Sequence, residues 1–270
     1  MKRKFCFILM VALFLPGNAS ADREKVADAE ALIKHFEAVY YGVDHSNSED
    51  RGVDRPMVIR QHPYKVVLFP TMTKYEEFIR PITDQLSKLT GYRITITRSP
   101  SFSGDFSTWI ATDLTDLPFS RVLYKSTSEE WQNFLKEWEK KTCMVLSSIG
   151  YAYISSGNFL FQVKNVFLDA AIVLKRQISA AKAKDCIVAG LVKQLAGFKD
   201  VSSNIVRPSI FNEPRPSMTA IPLNDKILIR AVYDLFPDRD REISMKTIRK
   251  KMPLYVKSVR ENGIESIYHR

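Results

Sequence analysis

A chain of 270 residues with 40 Lys and Arg against 30 Asp and Glu carries a net charge of +10. That balance favours solubility and loose attraction to anions such as lipopolysaccharide phosphates, acidic polysaccharide or nucleic acid. The absence of internal repeats, low-complexity tracts and long Gly/Ser linkers argues against a solenoid or a disordered tether.

The chain opens MKRKFCFILMVALFLPGNASA, with Lys2, Arg3 and Lys4 before an apolar run from Phe5 to Leu15, a Pro16-Gly17 break and Ala19-Ser20-Ala21. That order predicts a secretory signal peptide over 1–21, cleaved after Ala21. The apolar run falls short of the ~20 residues that span a bilayer, and no later run is long enough to cross one. Cys6 sits at the basic-to-apolar junction and not at the cleavage point, so it is not a lipid-attachment cysteine. Residues 22–270 are then a single secreted domain, periplasmic or released. Removing the signal takes away three positive charges and leaves +7. No stretch of the remainder concentrates charge with interleaved aromatics, so no specific nucleic-acid site is expected. The densest run, Arg249-Lys250-Lys251, is short and lies beside apolar residues.

Arg23 to Tyr41 places Val26, Ala29, Ile33, Phe36 and Tyr40 at helical spacing and ends at Gly42. A polar loop with His45 and Asp50 follows. "YKVVLFP" reads as a buried strand, and "KYEEFIRPITDQLSKLTG" as a helix kinked near Pro81 and stopped by Gly91. "YRITITR" alternates with period two, and "TWIATDL" pairs in the same sheet. "STSEEW" has a capping-box pattern before a helix carrying Trp131, Phe134, Leu135 and Trp138 on one face. Those aromatics read as core, with a ligand groove the other possibility.

"YAYIS" and "AAIVLK" are further strands. Beyond Lys182 come a helix "CIVAGLVKQLAGFKD", a loop with Pro208, Pro214, Pro216 and Pro222, a helix "DKILIRAVYDLF" and a last helix interrupted at Pro253. The whole is expected to be α+β, a mixed β-sheet backed by helices with a helical C-terminal part. With Cys6 removed, Cys143 and Cys186 remain. In an oxidising compartment they are most simply a disulfide, worth about 4 kcal/mol in the chain-entropy model, with two free buried thiols the alternative.

Residues 186–200 have the spacing of a metalloprotease zinc helix, in which histidines at i and i+4 share a face with a glutamate base beside the first. Laying H-E-x-x-H-x-x-G-x-x-[HD] on the chain puts Gly190 and Leu191 at the first pair, Gln194 at the second histidine, Gly197 at the turn and Asp200 at the third ligand. An amide and one carboxylate make a poor zinc site, and Leu191 cannot activate water. Ile187, Val188, Leu191, Val192 and Leu195 form the apolar face, with Gly190 and Gln194 on its edge.

"CIVAGLVKQLAGFKD", followed by "RPSIFNE" and "LNDKILIRAVYD", resembles a family of secreted bacterial proteins, domain of unknown function 2927 (DUF2927). In that family a Cys precedes E-E-x-x-Q-x-x-G, then a Ser-Ile-Phe-Asn-Asp loop, then a helix with paired leucines, Arg and Leu-Tyr-Asp. The matching positions here are Cys186, Gln194, Gly197, Ser209, Ile210, Phe211, Asn212, Glu213, Arg230, Tyr233 and Asp234. The resemblance is most specific over 186–234. It implies a zincin-like fold with a degenerate active-site helix, and this chain departs further by carrying Gly190 and Leu191 at the family's acidic pair.

The loop residues Ser209, Phe211, Asn212 and Glu213 either line a cleft or brace it. None of His35, His45, His62 and His269 has paired ligand spacing, and His35 reads as a surface or partly packed residue. "SFSGDFS", Ser101 to Ser107, reads as a polar turn. No G-x-S-x-G elbow, P-loop or dinucleotide fingerprint is present, so no catalytic residue, resident metal or cofactor is assigned. The expectation is a non-catalytic binding or structural component of the bacterial envelope, partnered by an envelope protein or an anionic envelope polymer. The alternative is a metal-dependent hydrolase with ligands outside the helix, drawn from His45, His62, Asp200 and Glu213.

Overall fold

Among the described residues, three short strands and one long hairpin join in a single mixed sheet of order β2-β1-β3-β5-β4. The computed structural model describes residues 25–41, 64–98, 107–112, 135–156, 159–198, 200–201, 205–212, 217–234 and 245–268. The stretch 1–21, expected from the sequence to be a signal peptide, and "STSEEW" lie outside them. β1 (Tyr64–Leu68) runs parallel to β2 (Ile94–Thr97) on one side and to β3 (Ser107–Ala111) on the other. β5 (Phe159–Leu174) continues the parallel set beside β3, and β4 (Cys143–Ser156) closes the edge antiparallel to β5. "TWIATDL" and "AAIVLK" are thus neighbours, with Ile110 opposite Ile172. Only the stretch from Asp169 to Val173 of β5 pairs with β3, and the rest of the hairpin is a two-stranded ribbon among the described residues.

Because side chains alternate across a strand, each central strand feeds two cores. Tyr64, Val66, Leu68, Ile110, Ile172 and Leu174 face the larger one, which holds α1 (Ala29–Tyr41), α2 (Glu76–Thr90), α4 (Ala180–Ala196), α5 (Leu223–Asp234) and α6 (Met245–Asn262). Val67, Trp109, Ala111, Ala171 and Val173 face the other side, where Leu135 and Trp138 of α3, described over 135–140, pack on them. Those two aromatic-face residues are therefore core packing. The fold is α+β, with the last third helical.

Three helices depart from their expected form. α1 begins at Ala29, because the Asp28 carboxylate accepts from the Ala31 N–H at 2.7 Å and so acts as its cap. Its inward face is Leu32, His35, Phe36 and Val39, with Ile33 only half-buried. α2 runs through Pro81 to the left-handed Gly91 at φ 74°. α6 likewise runs through Pro253 without interruption, burying Ile248, Met252, Val256 and Val259. Pro253 is exposed, so the carbonyl that loses its N–H partner there faces water, which can satisfy it.

A polar clamp joins the helical part. The Arg230 guanidinium donates to the Leu89 carbonyl at 3.2 Å and pairs with Asp234 at 2.7 Å, while the Tyr255 hydroxyl donates to Asp234 and Lys251 stands 3.6 Å from it. Burial pushes the Asp234 carboxyl up, but the Tyr255 hydrogen bond together with Arg230 and Lys251 holds it below its usual range. α2, α5 and α6 meet at this point.

Candidate functional site

α4 is placed on the sheet by one bond and one missing side chain. Ser179 caps its start by accepting from the Lys182 N–H, and Gly197, at φ 66°, ends it. Cys186 pairs with Cys143, the first residue of β4, as a disulfide with Cα atoms 6.4 Å apart. One turn further, a Cβ on Gly190 would lie 2.6 and 2.7 Å from Cδ1 and Cγ1 of Ile172 and 3.2 Å from Val145 Cγ2. The helix backbone rests directly on β5 and β4, and only glycine permits that approach.

The zinc-helix positions are accordingly filled by packing. Gly190 and Leu191 are buried, Leu191 completely, and Gln194 is 6% exposed. Burial takes in the expected apolar face and its edge alike, from Cys186 to Val192 and from Gln194 to Ala196, leaving only Lys193 partly open. The reason is that α4 packs against both the sheet and α2, so more than one of its sides is covered. Asp200, at the third-ligand position, turns instead to Lys193 and accepts from its Nζ at 2.7 Å. Among the described residues no three His, Cys, Asp or Glu side chains gather as a metal-ligand set. His45, His62, Glu213 and His269 lie outside the described residues, as does "SFSGDFS" apart from Ser107, a buried strand residue.

The loop after α4 braces the core. Ser209, Ile210 and Phe211 are fully buried and Asn212 is 2% exposed. Phe211 meets Phe198 edge-on at 4.9 Å, and Phe198 meets Phe36 at 5.7 Å and Tyr40 at 6.3 Å. Asn212 donates to the Val206 carbonyl at 2.7 Å, and the Val201 N–H donates back to the Phe211 carbonyl at 2.8 Å.

The densest chemistry is a group that sequence spacing does not reveal. Asp225, in the first turn of α5, accepts from the Ser209 hydroxyl at 2.7 Å and from the Ile210 N–H at 2.6 Å. The Ser209 oxygen lies 3.0 Å from His35 Nε2 and accepts from the Phe211 N–H at 3.2 Å. Since the hydroxyl proton goes to Asp225, His35 must donate from Nε2–H, leaving Nδ1 unprotonated. That Nδ1 is buried and finds no hydrogen-bond partner among the described residues.

Ser, His and Asp together invite comparison with a hydrolase triad, but the order differs. A triad carboxylate holds the imidazole, and the serine oxygen is open to substrate. Here the carboxylate holds the serine, and all three residues are fully buried. The group is a polar brace joining α1, the Ser209 loop and α5. His35 is therefore not a surface or partly packed residue: a lone histidine on an amphipathic helix gives no hint of a partner 174 residues away.

Burial pushes the His35 imidazole down from its ordinary 6.5 to about 4. A folded pKa below the unfolded one means that the folded state resists protonation. The stability held in neutral His35 is whole above pH 6.5 and is lost as pH falls toward 4, by about 3 kcal/mol in all. Urea unfolding of the wild type and of His35→Gln at about pH 7 and about pH 4 checks this. The expected result is a steeper acid loss in the wild type; equal slopes would show that His35 does not titrate in this window. No family model, curated protein or solved structure matches the chain.

Proposed function

We propose that the chain is exported through a signal peptide cleaved after Ala21 and serves, in the periplasm or beyond, as a non-catalytic binding or structural component of the bacterial envelope. Its scaffold is read as zincin-like, of the DUF2927 type. The observation that carries the proposal is the burial of Gly190 and Leu191 against the sheet. A catalytic zinc needs three converging ligands, an open coordination position and a base beside it. At the base position stands a leucine with no exposure, and the one acid of the pattern is held by Lys193.

Elemental mass spectrometry of the processed protein, purified without chelators or a histidine tag, tests the proposal. Less than a tenth of a zinc per chain is expected, before and after zinc is offered. One tightly bound zinc would overturn it in favour of a metal-dependent hydrolase whose ligands come from His45, His62, Asp200 or Glu213.

A further inference from the structure

The geometry points to the outer face of α6 as a docking surface for a bilayer with anionic headgroups. A helix broken at Pro253 would divide the basic residues around Arg249 from those beyond. The unbroken helix puts both halves on one face. At 100° per residue Lys246, Lys250, Pro253 and Lys257 fall within about 60° of one another, with Arg249 and Arg260 flanking on one side and Leu254 on the other. All seven are exposed, over a length of about 21 Å from Lys246 to Arg260.

The helix holds six basic residues and one acidic, in a chain whose net charge after signal removal is +7. Most of the basic excess of the protein therefore sits on this single element. Little of it is used internally. Lys246, Arg249 and Lys250 pair with no carboxylate among the described residues, and Lys257 approaches Glu261 only to 4.0 Å. Lys251, by contrast, turns inward to Asp234. Arg260 donates to the Val26 and Ala27 carbonyls, which fixes the end of the face against the start of α1.

Charge alone would suit a soluble polyanion equally well. Leu254 decides for lipid: it is 62% exposed, the only large apolar side chain so exposed among the described residues, and it stands one turn from both Lys250 and Lys257. A leucine between lysines gains by entering the acyl boundary while the ammonium groups meet headgroup phosphates. A linear polyanion in water offers it nothing to enter.

The inference names a partner surface for the envelope-binding reading, and relies on that reading only to bring α6 near lipid. Zinc in the protein would remove the non-catalytic reading and leave the vesicle result untouched. The test is cosedimentation of the processed protein with vesicles of one part phosphatidylglycerol to two of phosphatidylcholine, and with phosphatidylcholine alone. Binding to the anionic vesicles only, weakening with salt, is expected. Lys246→Gln, Lys250→Gln and Lys257→Gln together should lose roughly 100-fold, about fivefold per charge, and Leu254→Ser about three- to tenfold. These positions are exposed, so unchanged circular dichroism and melting are expected. Equal binding to neutral vesicles, or full binding by the triple variant, overturns the assignment. So does inorganic polyphosphate binding as tightly with Leu254→Ser without effect, which would give the face to a soluble polymer.

Discussion

Gly190→Glu is expected to leave the chain unfolded. Even the first added carbon meets Ile172 at 2.6 and 2.7 Å, distances that side-chain carbons do not sustain, and Ile172 is itself fully buried and unable to swing away freely. Overpacking of this kind costs about 1–3 kcal/mol per added methyl-sized group. Gly190→Ala should therefore lower the unfolding free energy by about that much, partly offset by the ~1 kcal/mol alanine gains over glycine in a helix. Glutamate adds a carboxylate with no room to reach water, several kcal/mol more. Leu191→Glu buries a second charge at a position with no exposure. Restoring the acidic pair of the resembling family thus cannot re-arm this helix, since both positions now belong to the core. Urea unfolding and yield of soluble protein are the readouts, and a folded Gly190→Glu protein with near-native stability would mean that α4 stands farther from the sheet.

Asp225→Ala is the second large expected loss. It strips the acceptor from two buried donors, the Ser209 hydroxyl and the Ile210 N–H. Each buried donor left without its partner costs roughly 1–3 kcal/mol, so the loss should be about 2–6 kcal/mol. The start of α5 adds to this, because the helix dipole favours an acid in its first turn. Asp225→Asn keeps one acceptor in place and should lose about half as much. A double-mutant cycle of Ser209→Ala with Asp225→Ala separates the direct contact from general destabilisation. Coupling of about 1.5–3 kcal/mol is expected; strict additivity would show that the two side chains do not act together.

What the sequence made legible was local. "YKVVLFP" is β1 because a run of β-branched and aromatic residues has no alternative to burial, and Gly91 ends α2 because only glycine takes φ 74° cheaply. The five apolar positions of α4 were readable for the same reason. Gly190 and Gln194 were placed on the edge of that face, and periodicity cannot tell how many sides of a helix will be covered. The second cover comes from α2, about a hundred residues earlier in the chain. His35 and Asp225 were invisible as a pair because their connection runs through Ser209 and has no fixed spacing. Pro253 was overestimated as a breaker, since its position on the exposed face leaves the buried side of the helix, Ile248, Met252, Val256 and Val259, packed without a break. That last point bears on the proposed bilayer surface, because the basic face of α6 exists only if the helix is whole.

The contacts that hold α1 reach almost the full length of the chain. His35 meets Ser209 across 174 residues, the Ala27 N–H donates to Asn224 across 197, and Arg260 reaches the Val26 carbonyl across 234. Such wide separations mean slow, late closure. During synthesis α1 cannot complete these contacts until residues 209, 224 and 260 have been made, so its docking waits for nearly all the rest of the chain.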